Sequence, residues 1–204
     1  MIRIKICGLQ DTASALAAAE AGADAIGLVF APSKRKVQPA IAREICKNLP
    51  ALVNKVGVFV DEEAAVVKDI AAYCGLDTLQ FHGRESAEYC SQFSQPVIKA
   101  FPIQDKASLA QLNGFETYTV LLDSYSAGCA GGTGCTFSWQ LVELAGRKRI
   151  ILAGGLSAAN VVTAIRTVRP YGVDVSSGVE TDGKKDIRKI KEFITTIRRW
   201  QYCE

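Results

Sequence analysis

Asp174-Val175-Ser176-Ser177-Gly178-Val179-Glu180 closes the last of eight short apolar runs in this 204-residue chain and gives way to small residues. Just upstream, Leu152-Ala153-Gly154-Gly155-Leu156 does the same. Two consecutive strand-like segments therefore break into Gly or Ser, where backbone N–H groups can face an anion. In a barrel of parallel strands, the loops after strands seven and eight commonly build a phosphate site. The pair points to a phosphosugar ligand held near Gly154, Gly155, Ser177 and Gly178.

Outward from this stretch, strand-like runs recur at 2–7, 25–30, 53–60, 76–82, 97–101, 118–123, 149–153 and 172–175. Between them lie segments with apolar residues at spacings of three and four, such as Val66, Val67, Ile70, Ala71 and Cys74, or Phe137, Leu141 and Leu144. Helix starts are predicted at Asp11, at Pro39 in a first turn, at Asp61 before Glu62-Glu63, and at Ser157. Eight strand-then-helix units predict an α/β fold, a single (β/α)8 barrel domain over residues 1–204 with a parallel eight-stranded sheet. An open doubly wound sheet is the alternative. Against it, Cys7-Gly8-Leu9-Gln10-Asp11 stands where a dinucleotide-binding Gly-x-Gly-x-x-Gly would follow the first strand.

The apolar runs are all too short to span a bilayer, and Met1 to Cys7 alternates apolar and basic residues without the apolar core of a secretory signal. A soluble, cytoplasmic protein is expected. Seven cysteines at 7, 46, 74, 90, 129, 135 and 203 lack the paired spacing of a zinc site and suit a reducing compartment, so no metal is expected. The net charge of +3 is small. The most basic segment, 184–199, interleaves its charges with Ile187, Ile190, Ile194 and Ile197, which predicts an amphipathic terminal helix with a solvated basic face rather than a nucleic-acid surface. A monomer is favoured, with a homodimer left open.

In a barrel, polar residues at the C-terminal strand ends converge on one mouth. Those residues are Cys7, Arg35, His82, Asp123 and Asp174. Going round from strand six to strand one, Asp123 and Cys7 flank the phosphate cradle, a carboxyl group facing a thiol across a bound phosphosugar. As acid and base, both need pKa values moved toward neutrality. Lys5 is a cation placed to favour the thiolate, while burial and nearby anions would keep Asp123 protonated.

Several pieces in order also carry a family resemblance: Lys5-Ile6-Cys7-Gly8, Ser33-Lys34-Arg35-Lys36-Val37, Gln80-Phe81-His82-Gly83, Leu121-Leu122-Asp123, Gly131-Gly132-Thr133-Gly134, Leu152 to Leu156, and Asp174 to Glu180 followed by Gly183-Lys184-Lys185-Asp186. Their order and spacing resemble the phosphoribosylanthranilate isomerases of tryptophan biosynthesis. The resemblance implies an intramolecular oxidoreductase of the aldose–ketose type, running an Amadori rearrangement with no cofactor. It implies Asp123 as the acid that opens the furanose ring, Cys7 as the base at C2, and Arg35 as the holder of the anthranilate carboxylate. The 131–134 loop, with Gly132 among the phosphate contacts, would close over the substrate. His82 reads as a pocket-wall residue with a place in substrate binding, and Asp174 either organises the site or touches ligand. His82, Trp139 and the Cys129 and Cys135 pair depart from the family pattern without removing a catalytic group. Another phosphosugar isomerase, or a silent binding barrel, remain the rival readings.

Overall fold

Strand β1 (Arg3–Cys7) shows how the chain divides its side chains. Successive residues of a strand point to opposite faces. Ile4 and Ile6 join the large apolar layer shared with the helices, while Lys5 turns inward to meet Asp174. The same alternation runs through β2 (Ala25–Val29), β3 (Asn54–Phe59), β4 (Thr78–Phe81), β5 (Val97–Pro102), β6 (Thr119–Asp123), β7 (Ile150–Ala153) and β8 (Gly172–Val175). All eight are parallel, each pairs with the next, and β1 closes the ring on β8. This computed structural model describes residues 1–123 and 149–203, the last of these as backbone. Two apolar layers result. Val56, Ile98, Ala100, Leu121, Ile151 and Ala153 fill the barrel, and a much larger set packs sheet against helices.

The predicted strands agree with the structure to within one or two residues at each end. Helix α1 (Thr12–Glu20) begins where Asp11 accepts the Ser14 N–H at 2.7 Å, and α2 (Pro39–Asn48) carries Pro39 in its first turn. Two starts need correction. Helix α3 (Ala64–Cys74) is preceded by Glu63, because Asp61 adopts φ 48° and turns its carboxylate to the Arg84 N–H. Helix α5 (Val161–Val168) starts after Asn160, whose Oδ1 accepts the Ser157 N–H, so Ser157 belongs to the loop. Between them α4 (Ala87–Cys90) is one turn, and β5 is followed by the 3-10 segment Ala107–Leu112. The predicted Phe137, Leu141 and Leu144 face lies outside the described residues.

The terminal helix α6 (Ile187–Cys203) buries Ile190, Phe193, Ile194 and Ile197 completely, whereas Ile187 is exposed. Its basic face is not wholly solvated as expected. Arg198 reaches down to the N-terminal rim of the barrel, donating to the Ile2 and Gly22 carbonyls and to Asp24. A guanidinium has five N–H donors and can bind several acceptors at once, which explains the departure.

Candidate active site

Strand register brings Cys7 opposite Gly27 and Lys5 opposite Asp174. A Cβ on Gly27 would lie 2.8 Å from Cys7 Sγ and 3.0 Å from Lys5 Nζ, so the bare glycine makes the space both groups share. Lys5 Nζ donates to Asp174 Oδ1 at 2.8 Å, with both side chains nearly inaccessible. A buried pair of this kind is strongly destabilised if one member is removed, because the other is left charged and unpaired. Asp174 is thus placed in the barrel as the partner of Lys5.

Cys7 is buried, and that burial pushes its thiol above the ordinary range. The Lys5 ammonium opposes the shift by charge and hydrogen bonding, while Asp174 reinforces it. Lys5 therefore acts in the expected direction, but desolvation of the thiolate outweighs it. Across the mouth, Asp123 ends β6 with its Oδ2 3.6 Å from His82 Nε2. His82 is bracketed on its other side by the Gln80 amide, 3.4 Å from Nδ1. Burial lowers the His82 pKa, against the opposing pull of Asp123 and Asp174, which favours a neutral ring at pH 7. His82 is thus a direct neighbour of Asp123.

Arg35 is withdrawn from the solvent that its neighbours Lys34 and Lys36 face. Its methylenes cross over Gly8, where an added Cβ would come within 2.6 Å of Arg35 Cδ, so it lies directly beside the Cys7 strand end. Its Nε and Nη2 donate to the two carboxylate oxygens of Glu180 at 2.6 and 3.0 Å. Lys185 Nζ donates to Glu180 Oε1 at 2.8 Å and to the Ser176 carbonyl at 2.8 Å. Ser176 Oγ in turn donates to the Cys7 carbonyl at 3.1 Å. Burial would raise the Glu180 pKa, but the bonds from Arg35 and Lys185 overcome it and hold the carboxyl down at about 2.

Glu180 and Lys185 stand outside the set of strand-end polar residues and join the site through the Arg35 pair. A signal for them existed in Asp182-Gly183, a dipeptide suited to a type I′ turn. Both residues have positive φ, 51° and 75°, and the turn folds Lys184–Lys185 back on Glu180–Thr181. This hairpin delivers Lys185 to Glu180.

The loops after β7 and β8 pack against each other. Gly154 and Gly155 adopt positive φ, and Asn160 braces their turn by donating to the Gly155 carbonyl at 2.9 Å. Gly178 packs so tightly on the β7 loop that any Cβ would overlap the Leu156 carbonyl oxygen. Gly132 and its glycine loop lie outside the described residues, as do Cys129, Cys135 and Trp139. Among the described residues no three His, Cys, Asp or Glu side chains cluster as a metal site would require.

A family model described as N-(5'phosphoribosyl)anthranilate (PRA) isomerase matches residues 4–196. The N-(5'-phosphoribosyl)anthranilate isomerase of Desulforudis audaxviator is 54% identical over 202 residues, covering 97% of this chain and 98% of that protein. The phosphoribosyl anthranilate isomerase structure from Thermotoga maritima is 41% identical, with a TM-score of 0.92 over 98% of this chain and all of that one. A form of the T. maritima enzyme described as monomers generated from a dimer is 40% identical, with a TM-score of 0.87 over 98% of this chain and 100% of that one. A third structure, in complex with reduced 1-(o-carboxyphenylamino)-1-deoxyribulose 5-phosphate, is 41% identical with a TM-score of 0.87, again over 98% of this chain and 100% of that one.

Proposed function

This chain belongs to the phosphoribosylanthranilate isomerase family, and we propose that Cys7 and Asp123 are the base and acid of its reaction. The reaction is the Amadori rearrangement of N-(5-phosphoribosyl)anthranilate to 1-(2-carboxyphenylamino)-1-deoxyribulose 5-phosphate, a step of tryptophan biosynthesis. The observation that carries the assignment is the placement of Cys7 at the end of β1 and Asp123 at the end of β6, on the two sides of the β7 and β8 loops.

Asp123 gives its proton to the furanose ring oxygen as the C1–O bond breaks, and the anthranilate nitrogen forms a protonated imine at C1. Cys7 then takes the proton from C2. The electrons of that C–H bond move into C1–C2, and the imine π electrons return to nitrogen. Tautomerisation of the resulting enol-amine gives the C2 ketone, so the substrate supplies its own electron sink. Arg35 receives the anthranilate carboxylate through its planar fork. The 5-phosphate sits against the Gly154-Gly155 turn and the Ser177-Gly178 loop, and His82 lines the sugar pocket. Asp174 serves through Lys5.

Support for the thiolate comes from Lys5, whose ammonium is held in place by Asp174. The substrate's imine cation adds a second positive charge beside Cys7 when the proton must leave C2. The described cysteines 7, 46, 74 and 90 are free thiols, which supports a cytoplasmic setting. No described helix is long and apolar enough to cross a membrane. We take the working unit to be a monomer.

The test is to generate phosphoribosylanthranilate in situ and follow loss of its fluorescence. Cys7→Ser and Asp123→Asn are each expected to lower kcat by at least about a hundredfold while melting like the wild type. Near-normal turnover in either folded variant would remove that residue from the mechanism.

A further inference from the structure

Arg35, from the loop after β2, meets Glu180 and Lys185, from one hairpin 145 residues on, beside Cys7 with short, charge-assisted bonds. We propose that Glu180 is the positioning residue that aims Arg35 at the carboxylate of the substrate's aromatic amine, and so sets the preference for an ortho-carboxylated amine. The inference rests on Arg35 as the carboxylate holder and extends it to the groups that fix its fork.

Arginine offers five N–H donors in one plane. Glu180 takes the Nε and Nη2 edge, which fixes the guanidinium plane and leaves the Nη1 side to present a second fork. Glu180 is itself immobilised, since its side chain is only 6% exposed and Lys185 grips Oε1. Lys185 is tied to the Ser176 carbonyl and hydroxyl at 2.8 and 3.1 Å, and Ser176 to the Cys7 carbonyl. The aim of Arg35 is therefore referenced to the strand end carrying the base and to the loop that continues into Ser177 and Gly178. One rigid cluster sets the spacing between the carboxylate-binding fork, the thiol and the phosphate loop.

Charge points the same way. Arg35 and Lys185 face one buried carboxylate at bonding distance, and Lys34 approaches it at 3.7 Å from the surface. Arg35 and Lys185 against Glu180 leave one net positive charge, which a second carboxylate would balance. Lys185 has its pKa lowered by burial, against the pull of Glu180, which marks a cation held in place at some cost.

The experiment compares two inhibitors, the reduced product carrying the carboxylate and its aniline counterpart lacking it, on wild type and on Glu180→Gln. Glutamine keeps the size of the side chain but turns an N–H₂ toward cations. Wild type should bind the carboxylated inhibitor at least about tenfold more tightly than the aniline one. Glu180→Gln should lose most of that ratio, through the carboxylated inhibitor alone. Equal weakening of both inhibitors, or an unchanged ratio, overturns the proposal and leaves Glu180 a brace. If Glu180→Gln fails to fold, Glu180→Asp reads the same ratio, since it keeps the charge but withdraws it by one methylene. Absence of any preference in wild type, repeated in Arg35→Met, would instead overturn the reading of Arg35 on which the proposal stands.

Discussion

Replacing Gly27 with alanine adds one methyl group at the point where β2 faces the proposed base. The new Cβ would stand 2.8 Å from Cys7 Sγ, 3.0 Å from Cys7 Cα and 3.0 Å from Lys5 Nζ. Ordinary van der Waals contact begins near 3.4 Å, so Sγ must retreat by about 0.6 Å, or β1 and β2 must part by a similar amount. The lysine cannot swing clear cheaply, because Asp174 holds its ammonium in the barrel. Gly27 is not among the positive-φ residues, so alanine carries no backbone penalty and the effect is steric. A catalytic group must be held within about 0.5 Å of its productive position, and a misplacement of about 1 Å costs on the order of a hundredfold in rate. Gly27→Ala should therefore lower kcat by about tenfold to a hundredfold while changing KM little, since the atoms nearest the new methyl belong to Cys7 and Lys5. Steady-state fluorescence kinetics reads both constants, and alkylation of Cys7 by iodoacetamide should slow in parallel. A folded variant with kcat within about twofold of wild type would show that the packing of Cys7 against β2 does not govern its chemistry.

The phosphate cradle offers the complementary case. Gly178→Ala must spread the β7 and β8 loops, because the added methyl meets the backbone of Leu156; KM should rise by about tenfold or more, and inorganic phosphate should inhibit less well. Lys5→Met removes the cation that opposes the burial-raised pKa of Cys7, so the acid limb of the kcat/KM profile should move to higher pH. That variant also strands Asp174, at a cost of about 3–5 kcal/mol, part of which Lys5→Met combined with Asp174→Asn should restore in thermal unfolding. Glu180, with its pKa depressed to about 2, stabilises the fold fully above the ordinary glutamate range and loses that contribution as pH falls toward 2. Wild type should therefore lose melting temperature more steeply than Glu180→Gln between about pH 4.5 and pH 2, and parallel curves would contradict the network.

Helix starts show where local reading succeeds and where it fails. Asp11 caps its own helix because its carboxylate has nothing nearer to bind than the Ser14 amide and hydroxyl. Asp61 has the same chemistry three residues before its helix but is drawn across to the β4 loop, where Glu85 also gathers the Asp61 and Gly83 amides. The competing partner lies more than 20 residues away and leaves no local trace. The turn at Asp182-Gly183 is local and legible, whereas the bonding of Arg35 to the Glu180 it carries is not.

The chain's own pattern determined the eight strands, their alternating faces, and the arrival of Cys7, His82, Asp123 and Asp174 at or near strand ends, because periodicity and turn residues act within a few positions of each other. The barrel's closure decided the rest. Lys5 and Asp174 are 169 residues apart, and Arg35 and Glu180 are 145 apart. Each pair meets because β1 registers against β8 and the β2 and β8 loops share one rim. Periodicity reports which face a residue takes, whereas the partner it finds across a closed ring depends on register and curvature that only the assembled barrel supplies.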